Sequence, residues 1–301
     1  MNSNARTRGT LTQRAALASV SLAVTLLGFK SWAAWQTGSV AMLGSLADTS
    51  LDIVASLVTL LSVRLAAQPA DEDHAYGHGK VEALAALFQT AIISASALAI
   101  GLRGFSQLGQ ARAPEHPELG IAVSLVAIAA TLALVSYQRH VVRVTGSVAI
   151  RADQVHYASD LALNASVIAA LLLDSLFHVH GADPAFGIGI GLWLLWHARD
   201  VAIHAVGQLM DQEWPLEKRE RFLAVAQRHP ELKGIHDFRT RSSGAHQFVQ
   251  FHVWVDPMMT VLEAHRVMDE VEAQLREEFP GTEILIHPDP EGHSDPPRGW
   301  A

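Results

Sequence analysis

The 301-residue chain contains no cysteine, which removes disulfides, thiolate nucleophiles and sulfur-ligated metals from consideration. It also has little charge over most of its length. The first 210 residues carry 13 acidic and 12 basic side chains, about 12%, whereas the last 91 carry 17 and 10, about 30%. Soluble domains average about 25% charged residues, so the front two thirds avoids water and the back third does not. Basic residues are in deficit as well: 30 carboxylates against 22 Lys and Arg give a net charge of −8. Phosphate backbones are bound through Lys and Arg, so nucleic acid is not the expected partner. Neither a His-Glu-x-x-His helix nor a Cys or Ser nucleophile motif is present, and nothing else suggests catalysis. Histidine, in contrast, is abundant at 16 residues, which leaves ligation by nitrogen and oxygen open.

A bilayer-spanning helix needs roughly 20 mostly apolar residues. The front region supplies six such stretches, at about 17–35, 40–65, 81–102, 119–135, 155–177 and 184–206. The first follows Arg6, Arg8 and Arg14 and resembles a leader, but it is read as a retained span because no polar mature N-terminus follows it. Arg6, Arg8, Arg14, Arg64, Lys80, Arg139, Arg143 and Arg151 flank one side of the membrane, with little beyond Arg103 and Arg112 on the other. The positive side is cytoplasmic, so both termini are expected there. Trp32 and Trp35 then fall at the outer end of the first span. In the sixth span Gly187, Gly189 and Gly191 are expected to permit close helix packing, while His197, Arg199, Asp200 and His204 interrupt its cytoplasmic half.

The second span holds Asp48 and Asp52, and the fifth holds His156 and Asp160. A spacing of four residues puts each pair on one helix face. A charge near the bilayer centre costs at least about 2.5 kcal/mol on insertion scales, so such pairs call for a compensating partner. Gly38-Ser39-Val40-Ala41 stands ten residues before Asp48, and Gly146-Ser147-Val148-Ala149 ten before His156. The copies are three spans apart, so their helices run in opposite directions, the pattern of an inverted three-helix repeat. At about 1.5 Å per residue both pairs lie some 14–21 Å from the starts of their helices, which fall at opposite membrane faces, so they can meet near the midplane. Three carboxylates and an imidazole gathered there repel or take up protons unless a cation joins them. The set suits tetrahedral Zn²⁺ first and accepts Fe²⁺, Mn²⁺ or Cd²⁺. Interhelical hydrogen bonding with protonated acids is the alternative that the residues alone leave open.

These two pairs, together with Tyr76-Gly77-His78-Gly79-Lys80-Val81-Glu82 after the second span, resemble the cation diffusion facilitator family. The resemblance extends from about residue 10 to 290 and is to the bacterial zinc and ferrous-iron efflux members. It implies a homodimeric transporter exporting divalent cations in exchange for protons, with Asp48, Asp52, His156 and Asp160 as the transport site. The residues themselves support a competition of that kind, because an imidazole with an unperturbed pKa near 6.5 beside carboxylates can hold protons that a metal displaces. Two other classes stay open on sequence grounds: a membrane metal sensor or receptor, which needs no midplane site, and a membrane metalloenzyme.

Asp71, His74 and His78 follow the second span. Their spacing fits a ligand set or an ordinary solvated loop; the family resemblance implies a second metal site there. It also implies an ion pair between Lys80 and Asp211, just past the sixth span, as an interlock between protomers. From residue 211 the pattern is that of a small α+β domain reaching 290: helix 216–227, strands 235–240 and 247–255, helix 260–279 capped by Thr260 with Glu263, and strand 283–287. The family resemblance makes this a dimerising, ferredoxin-like domain. Four of its histidines, His236, His252, His265 and His287, stand with Asp289 as candidate ligands, and alternating His287 and Asp289 can share one strand face. Surface histidines are common, and it is the resemblance that implies a structural or regulatory zinc site on them. His246 and His293 have no assigned role. Residues 1–14 are read as a cytoplasmic segment, 15–210 as the membrane domain, and 291–301, rich in Pro and Gly, as a disordered tail.

Overall fold

The computed structural model describes residues 3–37, 40–107, 117–177, 182–232 and 234–292. Gly38, Ser39, Arg112, His293 and the tail past residue 292 lie outside them, as do the side chains of Asp48 and Arg103. The chain divides into two compact units, one spanning Arg8–Leu209 and the other formed by Met210–Ala301 with Met1–Thr7.

The first unit is entirely helical: α1 (Ser3–Thr37), α2 (Val40–Ala66), α3 (Val81–Gln107), α4 (Pro117–Thr145), α5 (Val148–Phe177) and α6 (Ala182–Leu209). Among the described residues four stretches are long and apolar enough to cross a membrane: Thr7–Trp32, Thr49–Ala66, Val81–Ser106 and Leu125–Thr145. Helices α5 and α6 are 30 and 28 residues long. Helix α1 starts at Ser3, well before the predicted start near residue 17, because nothing between Arg6 and Leu17 breaks a helix.

Small residues decide how α3 and α6 pack. A Cβ on Gly104 would stand 2.8 Å from the Pro184 carbonyl oxygen, and one on Gly191 would stand 2.8 Å from that of Ala97. Gly187 borders Gly104 and Ile100 at 3.8 Å, whereas a Cβ on Gly189 would meet nothing within 4 Å. The close approach therefore uses the four-residue repeat Gly187 and Gly191, and Gly189, two residues out of phase, takes no part in it. The polar groups of α6 find local partners. Asp200 is ion-paired with Arg151 of α5, the His204 ring donates to the Asp200 carbonyl at 2.7 Å, and Arg199 and His197 lie against Trp196 and Trp193.

The second unit runs α7 (Leu216–Ala226), β1 (Gly234–Ser243), β2 (His246–Val255), α8 (Val261–Glu278) and β3 (Thr282–Pro290). Its sheet has the order β1-β2-β3, with β1 and β2 antiparallel and β2 and β3 parallel. Gly244, at φ 57°, opens the two-residue turn of the β1–β2 hairpin, a position where a side chain would be strained. Phe222, Phe251, Val253, Val267, Val271 and Leu275 fill the core between sheet and helices. The Thr260 hydroxyl accepts from the Glu263 N–H while Glu263 accepts from the Thr260 N–H, the reciprocal cap expected from sequence.

Candidate metal sites

Helices α2 and α5 bring Asp52, His156 and Asp160 together, with their ligand atoms all within 4.8 Å of one another. His156 Nε2 stands 3.0 Å from Asp52 Oδ1 and 4.0 Å from Asp160 Oδ2. The His156 ring packs edge-on against Tyr157, whose hydroxyl bonds Ser56 at 2.8 Å. Ser56 lies one turn from Asp52 on α2, so this bond sets the register of the two ligand-bearing helices. Two oxygens and an imidazole nitrogen on one face of each helix form a hard-to-borderline donor set. The backbone of Asp48 belongs to α2, one turn before Asp52.

The loop after α2 forms a second group. His74 Nδ1 is 3.1 Å from Asp71 Oδ1, and His78 Nε2 is 3.2 Å from Asp71 Oδ2. The two imidazoles lie 4.4 Å apart between centroids. His78 is buried and its Nδ1 has no hydrogen-bond partner. Some desolvation acts to raise the Asp71 carboxyl, but the backbone N–H and ring of His74 and the nearby His78 outweigh it and hold the group below its ordinary value. Lys80, next along, donates to the Leu209 carbonyl at 3.3 Å. In the other unit Asp211, held at φ 55°, lies 3.9 Å from Arg241.

The third group is built by sheet register. His236, His252 and His287 are direct neighbours across β1, β2 and β3, so the three imidazoles form a row over the sheet. Asp289, two residues past His287 and hence on the same face, is their common partner. Its Oδ2 is 3.1 Å from His236 Nε2 and 2.8 Å from His252 Nδ1, and its Oδ1 is 3.3 Å from His287 Nε2. Tetrahedral zinc with ligands at about 2.0–2.1 Å would separate them by about 3.4 Å; His236, His252 and Asp289 offer ligand atoms all within 4.8 Å of one another, whereas His287 reaches the second carboxylate oxygen and falls outside that compact group. Burial tends to raise the Asp289 carboxyl, but hydrogen bonds from His252 and His236 and the field of His287 hold it below the usual range. His265 stands apart on the exposed face of α8, 3.8 Å from Asp269, and is not brought into the group.

Sequence reasoning missed a bulge that shapes this third site. Pairing slips between His236 and Arg239, and Asp237 at φ 48° is one of the extra residues. A bulge re-aims neighbouring side chains, here leaving Asp237 Oδ2 3.8 Å from His252 Nε2. A non-glycine residue forced to positive φ leaves no reliable mark in sequence. Also missed was Asp153, fully buried in α5; its signal was available, since a carboxylate one turn before His156 near a span is costly. Lys30 is a third omission: its ammonium reaches inward to the buried Thr49 hydroxyl at 2.6 Å.

A helical membrane unit carrying paired carboxylate and imidazole ligands, joined to a small α+β unit with a histidine cluster, defines a membrane transporter of metal cations. The comparisons agree. Residues 16–210 match the cation efflux transmembrane domain, and 214–291 match the cation efflux protein cytoplasmic domain. The chain belongs to the cation efflux, or cation diffusion facilitator, family. It is 45% identical over 280 residues to the cation-efflux pump FieF of Yersinia enterocolitica, covering 93% of each chain. It is 43% identical over 282 residues to that of Klebsiella pneumoniae, covering 94% of each. Among solved structures, the metal-bound C-terminal domain of the CzcD transporter from Thermotoga maritima is 26% identical, covering 27% of this chain and 94% of that one, with a TM-score of 0.26. The protein is therefore a multi-pass cation-efflux transporter and not an enzyme.

Proposed function

We propose that the protein exports divalent transition-metal cations from the cytoplasm across the bacterial inner membrane, with both termini cytoplasmic, in exchange for protons by alternating access. The observation that carries this reading is the meeting of Asp52 from α2 with His156 and Asp160 from α5. Asp48, a turn from Asp52 on the same helix, completes the set. Carboxylates and imidazole bind either protons or a metal ion, and loading the cation displaces protons. If the cavity opens to one side at a time, the proton gradient drives the metal outward. Zn²⁺ is the preferred cargo on ligand type, with Fe²⁺, Cd²⁺ and Mn²⁺ accepted by the same donors.

Asp71, His74 and His78 form a second, loop-borne metal site in this reading. His236, His252, His287 and Asp289 hold structural or regulatory zinc in a homodimerising cytoplasmic domain. His265, the fifth residue that the resemblance implies for this site, stands apart from them on α8 in the single chain. Lys80 and Asp211 form the interlock between protomers. The purified protein in proteoliposomes, given one pH gradient and offered Zn²⁺, Fe²⁺, Cd²⁺ and Mn²⁺ in competition, tests the proposal. Zinc flux should rise and fall with the gradient; flux indifferent to it would remove proton coupling.

A further inference from the structure

Beneath the transport pair lies a group of side chains that cation binding does not use. Asp153 of α5 is completely buried, and three other helices converge on it. Ser19 of α1 donates to its Oδ2 at 2.5 Å, Gln138 of α4 donates to the same oxygen at 2.7 Å, and Gln89 of α3 donates to Oδ1 at 3.2 Å. Gln89 reaches further, to the Thr59 hydroxyl and the Ala55 carbonyl of α2, and Gln138 also donates to Ser19. Ser19, Thr59, Gln89 and Gln138 are each no more than 1% exposed. Three helices are thus bonded to one carboxylate of α5, and a fourth, α2, is bonded to one of its donors.

Position makes this more than packing. Asp153, His156 and Asp160 follow at spacings of three and four residues, the repeat that keeps side chains on one helix face. Asp153 is therefore one turn from the ligand imidazole, and the bonds it accepts fix the depth and rotation of α5 where His156 leaves it. Tyr157, adjacent to His156, adds a bond to the Ser19 carbonyl at 3.1 Å beside the one to Ser56. Groups that hold a metal ligand in place commonly contribute ten- to a hundredfold in metal affinity or activity.

We propose that Asp153 is a positioning residue for transport: by collecting hydrogen bonds from α1, α3 and α4 it holds His156 against Asp52, and so sets the affinity of the transport site for its cation. The inference rests on the transport-site reading above. Asp153→Asn preserves shape but turns one acceptor into a donor facing Ser19, Gln89 and Gln138, so part of the network must break.

The test is initial-rate Cd²⁺ flux in proteoliposomes as a function of Cd²⁺ concentration, on the full chain, with Asp52→Ala as the control. Asp153→Asn should raise KM about tenfold while the maximal rate changes by less than about threefold. Ser19→Ala, which removes one donor and little volume, should raise KM by a few fold and serves if Asp153→Asn does not fold. Unchanged KM in Ser19→Ala, or in a folded Asp153→Asn, with a lower thermal midpoint as the sole effect, would make the network structural and overturn the proposal. Full flux in Asp52→Ala would instead overturn the transport-site reading itself, so the two failures are separable.

Discussion

The membrane unit and the cytoplasmic unit both gather histidine and aspartate, by different means. In the membrane the ligands come in pairs four residues apart, and the helix period alone aligns Asp52 on α2 and His156 with Asp160 on α5. In the cytoplasmic unit His236, His252 and His287 come from three strands and meet because the sheet register sets them side by side. The first arrangement puts charge where a bilayer makes it costly, so it is hard to explain without a cation. The second lies outside the apolar helices, partly buried on a sheet, where histidine costs less. The difference teaches that chemical meaning depends on the solvent around a residue as much as on the residue.

The sharpest way to separate the two sites is to damage one and measure both. His252→Ala removes a ring 2.8 Å from Asp289 and should weaken cytoplasmic Zn²⁺ binding by at least the roughly ten- to a hundredfold that loss of a ligand's supporting group costs. The fluorescence of Trp254, whose ring lies tilted 4.6 Å from that of His236, supplies a local readout in a titration. Flux should fall only partly; its complete loss would make the cytoplasmic site an obligatory part of transport and erase the distinction.

A substitution outside either ligand set tests the membrane scaffold. Gly191→Ala places a methyl 2.8 Å from the Ala97 carbonyl oxygen, and overpacking of this kind costs about 1–3 kcal/mol. A lower thermal midpoint in detergent is expected, while Gly189→Ala, facing open space, should leave it unchanged. Equal effects would contradict the packing assigned to α3 and α6.

Smaller effects belong to the cap of α8. Thr260→Ala should destabilise the cytoplasmic unit by about 1 kcal/mol without altering flux, as read by urea unfolding. Glu263, held below its ordinary value by hydrogen bonds from the Thr260 backbone and side chain, gives this cap a pH dependence. A depressed carboxyl pKa contributes stability above the unfolded value of about 4.3, and that contribution disappears as pH falls through the folded value. The difference in unfolding midpoint between the parent and Glu263→Gln should therefore shrink on going from pH 6 to pH 3. A gap that stayed constant would detach the cap from titration.

Much of this was legible in sequence because helices write their contacts locally. The placing of His156 and Asp160 on one helix face and the Thr260 and Glu263 cap both follow from spacings of three or four residues. What was not legible depends on distant partners. The bulge at Asp237 depends on how β1 pairs with β2, and the bonds on Asp153 depend on which faces of α1, α3 and α4 turn inward. Gly189 shows the limit within one helix: three glycines in a row of alternate positions look equivalent, but a helix can present only Gly187 and Gly191 to α3 together. His265 likewise has the right residue type, but its side chain lies on an exposed face of α8 beside Asp269, one turn further along the same helix.

The central claim is that the cation crosses the membrane through Asp52, His156 and Asp160. Its most direct test is Zn²⁺ flux by Asp52→Ala in proteoliposomes, with cytoplasmic Zn²⁺ binding titrated on the same preparation. The account predicts flux reduced to the level of protein-free vesicles and cytoplasmic binding unchanged. Flux equal to that of the parent protein would contradict it.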